Sequence, residues 1–236
     1  MNKTIIITGA SSGIGKATAE SLISTGANLV LASRKIEKIQ KFAEKYPDSV
    51  LLHKTDVTKK DDVDALVEAA KQRFGSVDVL INNAGLGSFR ELQMADTNEW
   101  DTMIDTNIKG VLYCFNAVLP HMITQEKGHI INIASVAAHD VFPNAVVYCA
   151  TKHAVLAISK GIRLEFQDKI KVTTISPGAV NTGFLENTLS TEEDKEERRE
   201  YFKEGLTPDV IAQNIRFAIE QPDEVAISEI IVRPQR

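Results

Sequence analysis

Short runs of Ile, Val and Leu alternate with longer amphipathic stretches along the whole chain, and no linker interrupts the pattern. Strand-like runs fall at 4–8, 29–32, 50–54, 79–81, 129–134, 172–176 and 226–232. Most are apolar at successive positions, so both faces of each strand are covered, as in a parallel sheet. Helical stretches fall at 13–25, 61–74, 97–121, 147–167 and 208–220. Gly26 and Gly75 stand where the first two of these should stop. Strand, helix, strand, repeated, requires right-handed crossovers with helices on both faces of the sheet. The expected fold is α/β: one Rossmann-type, doubly wound parallel sheet of about seven strands in a single domain, 1–236. In such sheets ligands bind beyond the carboxyl ends of the strands, so functional residues should lie just after them.

Composition narrows the function classes. The net charge is −5, with no concentrated basic surface for phosphate backbones, so nucleic acid is not an expected partner. No apolar stretch approaches the roughly 20 residues of a membrane-spanning helix. Two cysteines, Cys114 and Cys149, supply neither a disulfide framework nor metal-ligand spacing. The N-terminus runs into a strand without a signal-peptide pattern, and the expectation is a metal-free protein in a reducing, cytoplasmic setting.

The first strand leads into Gly9-Ala10-Ser11-Ser12-Gly13-Ile14-Gly15 and then directly into a helix. Glycines permit a sharp turn and close approach, and the helix N-terminus offers unpaired N–H groups to a phosphate. The spacing is Gly-x-x-x-Gly-x-Gly rather than Gly-x-Gly-x-x-Gly. After the second strand stands Arg34, where a carboxylate would instead grip the adenosine ribose of NAD. An arginine there suits the 2′-phosphate of NADP. The plainer alternative is a solvated arginine paired with Glu37. Asp56-Val57 follow the third strand, where Asp56 could accept from an adenine amino group or cap the next helix. Asn83-Ala84-Gly85 follow the fourth, where the small Ala84 and Gly85 allow close contact with a flat ligand or simply suit a turn.

Tyr148 and Lys152 stand four apart on one helix face. A free phenol titrates near about 10, and a neighbouring ammonium would favour phenolate, suiting the pair to proton transfer with an alcohol or carbonyl oxygen. Ser135 ends the fifth strand and could hold that oxygen, or could simply cap a turn. Asn107 sits mid-helix, where it could interrupt the hydrogen-bond ladder or serve a buried network.

Together these residues resemble the short-chain dehydrogenase/reductase family over essentially the whole chain. The loop from Thr8 to Gly15, Asn82-Asn83-Ala84-Gly85, and Asn107, Ser135, Tyr148 and Lys152 match its motifs in order. Pro177, Gly178, Val180 and Thr182 match its turn after the sixth strand. The resemblance implies Tyr148 as general acid/base and Lys152 as the residue that lowers its pKa and binds the nicotinamide ribose. It implies Ser135 orienting substrate oxygen and Asn107 holding a water that links Lys152 to solvent. It further implies NADP bound by Gly9, Ser11, Ser12, Gly13, Ile14, Gly15, Arg34, Asp56, Val57, Asn83, Ala84 and Gly85, with the Pro177–Thr182 turn at the nicotinamide end. The implied activity is NADP(H)-dependent hydride transfer to or from a small carbonyl or alcohol substrate. The C-terminal Glu229-Ile230-Ile231-Val232-Arg233-Pro234-Gln235-Arg236 is similar to the 3-hydroxy acid and serine dehydrogenase branch. The family also implies a homo-oligomer, a dimer or homotetramer, formed through 98–121 and 147–167, and a substrate lid at 184–206. That lid is strongly charged, and Arg198 or Arg199 could bind a carboxylate. His139 and Phe142 could line the pocket. Competing readings are a 3-oxoacyl-thioester reductase, which calls for a basic patch at the mouth, and a non-catalytic NADP-binding regulator, which would be expected to lose a member of the tetrad.

Overall fold

The computed structural model describes residues 3–235, apart from the side chain of Glu197; Arg236 of the C-terminal motif lies outside the described residues. Seven strands form one parallel sheet: β1 (Thr4–Thr8), β2 (Asn28–Ser33), β3 (Val50–Lys54), β4 (Val79–Asn82), β5 (Gly128–Ile133), β6 (Ile170–Pro177) and β7 (Glu229–Val232). Their order is β3-β2-β1-β4-β5-β6-β7, and every adjacent pair is parallel. The strand order reverses direction between β1 and β4, which fixes the crevice at their carboxyl ends.

The apolar strand runs divide by parity, because successive side chains point to opposite faces. Ile5, Ile7, Leu29, Leu31, Ile81 and Ile131 pack on one face against α1 (Gly13–Ile23) and α8 (Pro208–Glu220). Ile6, Val30, Leu80, Ile130 and Val172 pack on the other. There they meet α3 (Lys60–Phe74), through Val63, Leu66 and Val67, and α5 (Gly110–Thr124), through Cys114, Val118 and Met122. Ile5, Ile6 and Ile7 are completely buried, each contributing about 1.5–3 kcal/mol of burial. Such two-sided burial is what the unbroken apolar runs call for.

Helix ends follow local chemistry. Gly75 closes α3 in the left-handed conformation, φ 83°, with its N–H on Lys71 O. Gly26 is also left-handed, but α1 has already ended at Ile23, two residues earlier than the spacing suggests. The stretch 97–121 is one long helix in two parts, α4 (Thr97–Ile104) and α5, joined by a π turn over Asp105–Lys109. The final strand is shorter than 226–232, because pairing with β6 begins only at Glu229. Periodicity alone does not reveal α2 (Gln40–Lys45): it is short, and it packs through Phe42 and Ala43 without burying either fully. The remaining helices are α6 (Val146–Phe166) and α7 (Glu192–Lys203). No helix among the described residues is long and apolar enough to cross a membrane.

Candidate active site

A cleft of about 780 Å³ runs along the carboxyl ends of the strands, and every expected site residue except Gly15 and Asn107 lines it. Gly15 is buried in the turn itself, where a Cβ would stand 2.5 Å from Asn83 Nδ2 and 2.6 Å from Gly9 O. The loop is held by β4. Thr8 Oγ1 accepts from the N–H groups of Asn83 and Ala84, and Asn83 Nδ2 donates to Thr8 O at 2.9 Å and Gly9 O at 3.2 Å. Asn83 therefore works chiefly as a clamp on the loop. Gly9 takes φ 65°, and a Cβ there would meet Ala84 Cα at 2.9 Å. Ser12 makes no side-chain cap and the first turn of α1 carries no acidic residue. The N–H groups and positive end of the helix dipole thus face the cleft through Ser12, Gly13 and Ile14. That donor set fits a phosphate.

At one end of the cleft Arg34 is exposed and makes no ion pair among the described residues, so the pairing with Glu37 does not form. Lys35 and Lys38 line the same end, brought there by the single 3₁₀ turn Ile36–Ile39. Neither lysine is singled out by the sequence motif, though their spacing about that turn is the signal. Ser33 Oγ donates to Ser11 Oγ at 2.8 Å, tying the glycine loop to β2 beside this cationic patch. The set suits a phosphate on the adenosine ribose. Asp56 is the one carboxylate among the described lining residues. Its Oδ1 accepts from Thr58 N and Thr58 Oγ1, a local turn, while Lys59 takes the position before α3 without a side-chain cap.

The chemistry gathers at the other end. Tyr148 and Lys152 occupy successive turns of α6, both buried, with Lys152 Nζ 5.8 Å from the Tyr148 ring centroid. Lys152 Nζ donates to Ile133 O at 2.9 Å, anchoring it to the end of β5. Ser135 serves two ends at once. Its Oγ accepts from Ala137 N, capping the turn Val136–Ala138, and donates to Pro177 O at 3.5 Å, which sets the hydroxyl beside Tyr148. Burial pushes the phenol up to about 12, opposed by the neighbouring Ser135 hydroxyl, and pushes Lys152 down to about 8. The expected lowering of the phenol by lysine is thus overridden by desolvation of both groups. Asn107 lies in the π turn; its Oδ1 accepts from Leu86 N at 3.0 Å, and its Nδ2 donates to Leu86 O at 2.8 Å and Thr151 Oγ1 at 3.1 Å. It joins the loop after β4 to α6. A Cβ on Gly85 would meet Asn107 Oδ1 at 3.3 Å and Lys152 Nζ at 3.6 Å, so glycine lets these two side chains approach the cleft together.

Pro177, Gly178, Val180 and Thr182 line the same end after β6. Gly178 N donates to Val232 O, and a Cβ there would meet Pro234 Cδ at 3.1 Å, so the C-terminal strand braces this turn. Phe142 reaches the cleft, whereas His139 turns to Ser176 and Glu229. The segment 184–206 folds over the opening. Leu189 N donates to Gly87 O, and Phe89 N donates to Ser190 Oγ. Arg90 bridges Glu99 and Asp194, whose side chain also completes the capping box of α7 with Thr191. Phe184 packs 5.9 Å from the Tyr148 ring, Phe89 packs 5.6 Å from it, and Phe202 closes on both phenylalanines. This aromatic wall carries no motif and is assembled from three distant segments. Arg198 stands over Phe89 and lines the cleft, while Arg199 faces Glu186 and Glu192 outside it.

The description "short chain dehydrogenase" matches residues 3–193. An uncharacterised oxidoreductase of Staphylococcus saprophyticus is 48% identical over 237 residues, covering 99% of this chain and 96% of that protein. The closed form of a serine dehydrogenase complexed with NADP+ superposes with a TM-score of 0.91 at 29% identity, covering 98% of this chain and 94% of that one. A short-chain dehydrogenase/reductase from Burkholderia phymatum in complex with NAD gives 0.89 at 27% identity, over 98% and 88%. The chain belongs to the short-chain dehydrogenase/reductase family, as an oxidoreductase that acts on CH–OH groups.

Proposed function

We propose that the protein is an NADP(H)-dependent reductase or dehydrogenase of small carbonyl or alcohol substrates, with residues 1–236 acting as one catalytic unit and 184–206 as its lid. The observation that carries this reading is one cleft lined at one end by buried Tyr148 and Lys152 beside Ser135 and at the other by Arg34, Lys35 and Lys38. When bound, the nicotinamide supplies or accepts the hydride. The glycine loop and the N-terminus of α1 would take the pyrophosphate, Arg34 with its neighbouring lysines the 2′-phosphate, and Asp56 and Val57 the adenine side. Ala84, Gly85 and the turn from Pro177 to Thr182 would flank the nicotinamide end.

The phenol of Tyr148, held neutral by burial, is ready to donate its proton to the oxygen of a carbonyl under reduction. Ser135 would orient that oxygen, and Lys152 would restore the proton, with Asn107 holding the loop and helix around a water path to solvent. In oxidation the same groups run in reverse. The aromatic lid excludes water from the reacting carbon. The serine dehydrogenase likeness supports a hydroxy acid or hydroxy amino acid as the substrate type. An acidic acyl-carrier partner fits poorly, because the outer face of α7 is itself rich in glutamate.

The apolar side chains left exposed on the long helices, Ile104, Leu112, Val146 and Leu164, support pairing of protomers through α4, α5 and α6. A dimer or tetramer is then expected by sedimentation. Both cysteines are free and buried, which suits a reducing, cytoplasmic setting. Turnover is tested by NADPH absorbance against a panel of aldehydes, ketones and keto acids. Tyr148→Phe should abolish the rate yet leave NADPH binding nearly intact. A substantial residual rate would remove Tyr148 from its role.

A further inference from the structure

From a guanidinium lining the cleft that no described carboxylate neutralises, we infer that Arg198 is a specificity determinant for a carboxylate. The favoured substrate is a keto acid, or the corresponding hydroxy acid, whose carboxylate is separated from the reacting carbon by an apolar segment. This rests on the reading of Tyr148 as the proton donor.

Four observations converge. First, the other described cations of the lid and its base are engaged: Lys195 holds Glu192 and Glu186 O, Arg199 holds Glu186 and Glu192, and Lys203 holds Glu200. Arg90 is shared between Glu99 and Asp194. Arg198 pairs with no carboxylate among the described residues; its Nη2 donates to Pro143 O at 3.2 Å. Second, among the described residues no carboxylate lines the substrate end, because the one described lining carboxylate, Asp56, stands at the adenosine end. Third, the guanidinium carbon sits 4.6 Å from the Phe89 ring centroid and Nη2 is held on Pro143 O, which together position the planar group in the cleft lining. Fourth, the surrounding walls are Phe89, Phe142, Phe184 and Phe202, so an ion pair formed against them is screened less than one on the open surface.

A positive group of fixed plane in an apolar-walled cleft selects a carboxylate that can accept two parallel hydrogen bonds. The Phe89 ring packs against both Arg198 and Tyr148, 4.6 Å from the guanidinium carbon and 5.6 Å from the Tyr148 ring. A substrate lying along Phe89 and Phe184 can place its reacting carbon at Tyr148 and, across an apolar spacer, its carboxylate at Arg198. The overall conversion is the ordinary one, keto acid plus NADPH and a proton giving hydroxy acid and NADP+, so the inference adds a binding contact and no new step.

The test uses the full chain with saturating NADPH and matched keto acids and methyl esters, differing in the number of methylenes between carbonyl and carboxyl. The wild type should prefer the acid with a spacer over its ester. In Arg198→Met the ratio of acid to ester kcat/KM should fall roughly 10- to 100-fold through KM for the acid, with part of it restored in Arg198→Lys. If acid and ester lose activity equally, Arg198 is only a strut holding the lid to Pro143, and the inference is overturned. Absence of any acid preference in the wild type overturns it too. In either case turnover of the esters leaves the proposed function standing. If no acid, ester or neutral ketone oxidises NADPH, that function falls and this inference with it.

Discussion

Lys152→Met should make the protein inactive yet shift its stability in a pH-dependent way that only a desolvated lysine explains. Lys152 is 7% exposed and its ammonium is pushed from 10.5 down to about 8 by burial. In the unfolded chain the lysine holds its proton up to its ordinary value. Between the two values the unfolded state binds more protons, so stability rises with pH across that window. Below about 8 the folded protein carries the full cost of an ammonium withdrawn from water, about 3 kcal/mol at 1.36 kcal/mol per unit. Methionine has a similar reach and no charge, so the variant is free of that cost at every pH. Its own loss is the hydrogen bond to Ile133 O, an uncovered carbonyl worth about 1–3 kcal/mol and insensitive to pH. At about pH 7 the two effects leave the variant as stable as the wild type or more so. By about pH 10 only the lost hydrogen bond remains and the wild type is the more stable. The difference should therefore move by about 2.5 kcal/mol over that range. Urea denaturation of both proteins at several pH values measures it, since the titrations they share cancel in the difference. The Tyr148 phenol, pushed up to about 12, destabilises the fold only as pH rises past its ordinary value, outside this window. A difference that stays flat from about pH 7 to about pH 10 would refute the claim that burial governs Lys152.

Further outcomes follow from the cofactor loop and the Asn107 contacts. Arg34→Ala should raise KM for NADPH roughly 10- to 100-fold and leave NADH little changed, as for loss of a charge-assisted bond to one phosphate; equal losses for both cofactors would show that Arg34 does not read the 2′-phosphate. Gly15→Ala forces a Cβ against Gly9 O and Asn83 Nδ2, so it should destabilise the fold by about 1–3 kcal/mol and weaken dinucleotide binding, measured by thermal melting and by titration. Asn107→Ala removes three hydrogen bonds from the junction of Leu86 and Thr151. It should lower Tm by about 5–10 °C; a change under a degree would mean the contacts are dispensable.

The fold was legible because burial leaves a mark in the sequence. Ile5-Ile6-Ile7 and Leu29-Val30-Leu31 are apolar at odd and even positions alike, and in the sheet those positions divide between two helical layers. The residues that line the cleft were legible in type and order, yet several of their packing tasks were not. Asn83 reads as a ligand contact; it lines the cleft and also clamps the loop, because its amide group donates to Thr8 O at the end of β1 and to Gly9 O just beyond it. Asn107 announces itself as a poor helix former, and a π turn forms around it. Tyr148 and Lys152 share a face by spacing alone. Their pKa values depend on how deeply α6 sinks against β5, which no four-residue spacing encodes.

The lid shows where such reading must stop. Phe202 and the capping box of Thr191 and Asp194 define a helix and the side by which it is attached. Arg198 and Arg199 lie one helical turn before Phe202, four and three residues back, and either position can share its face. The choice is made by carboxylates on other turns. Glu186 lies on the segment before α7 and Glu192 in its first turn, and both face Arg199 on the outer side. Arg198 is left to rotate inward onto Phe89, a residue more than a hundred positions earlier in the chain. The cation that faces the substrate is thus selected by which arginine the surface carboxylates neutralise. Glu186→Gln with Glu192→Gln should loosen Arg199 without supplying a new partner for Arg198, so the preference for keto acids over their esters should survive this double change.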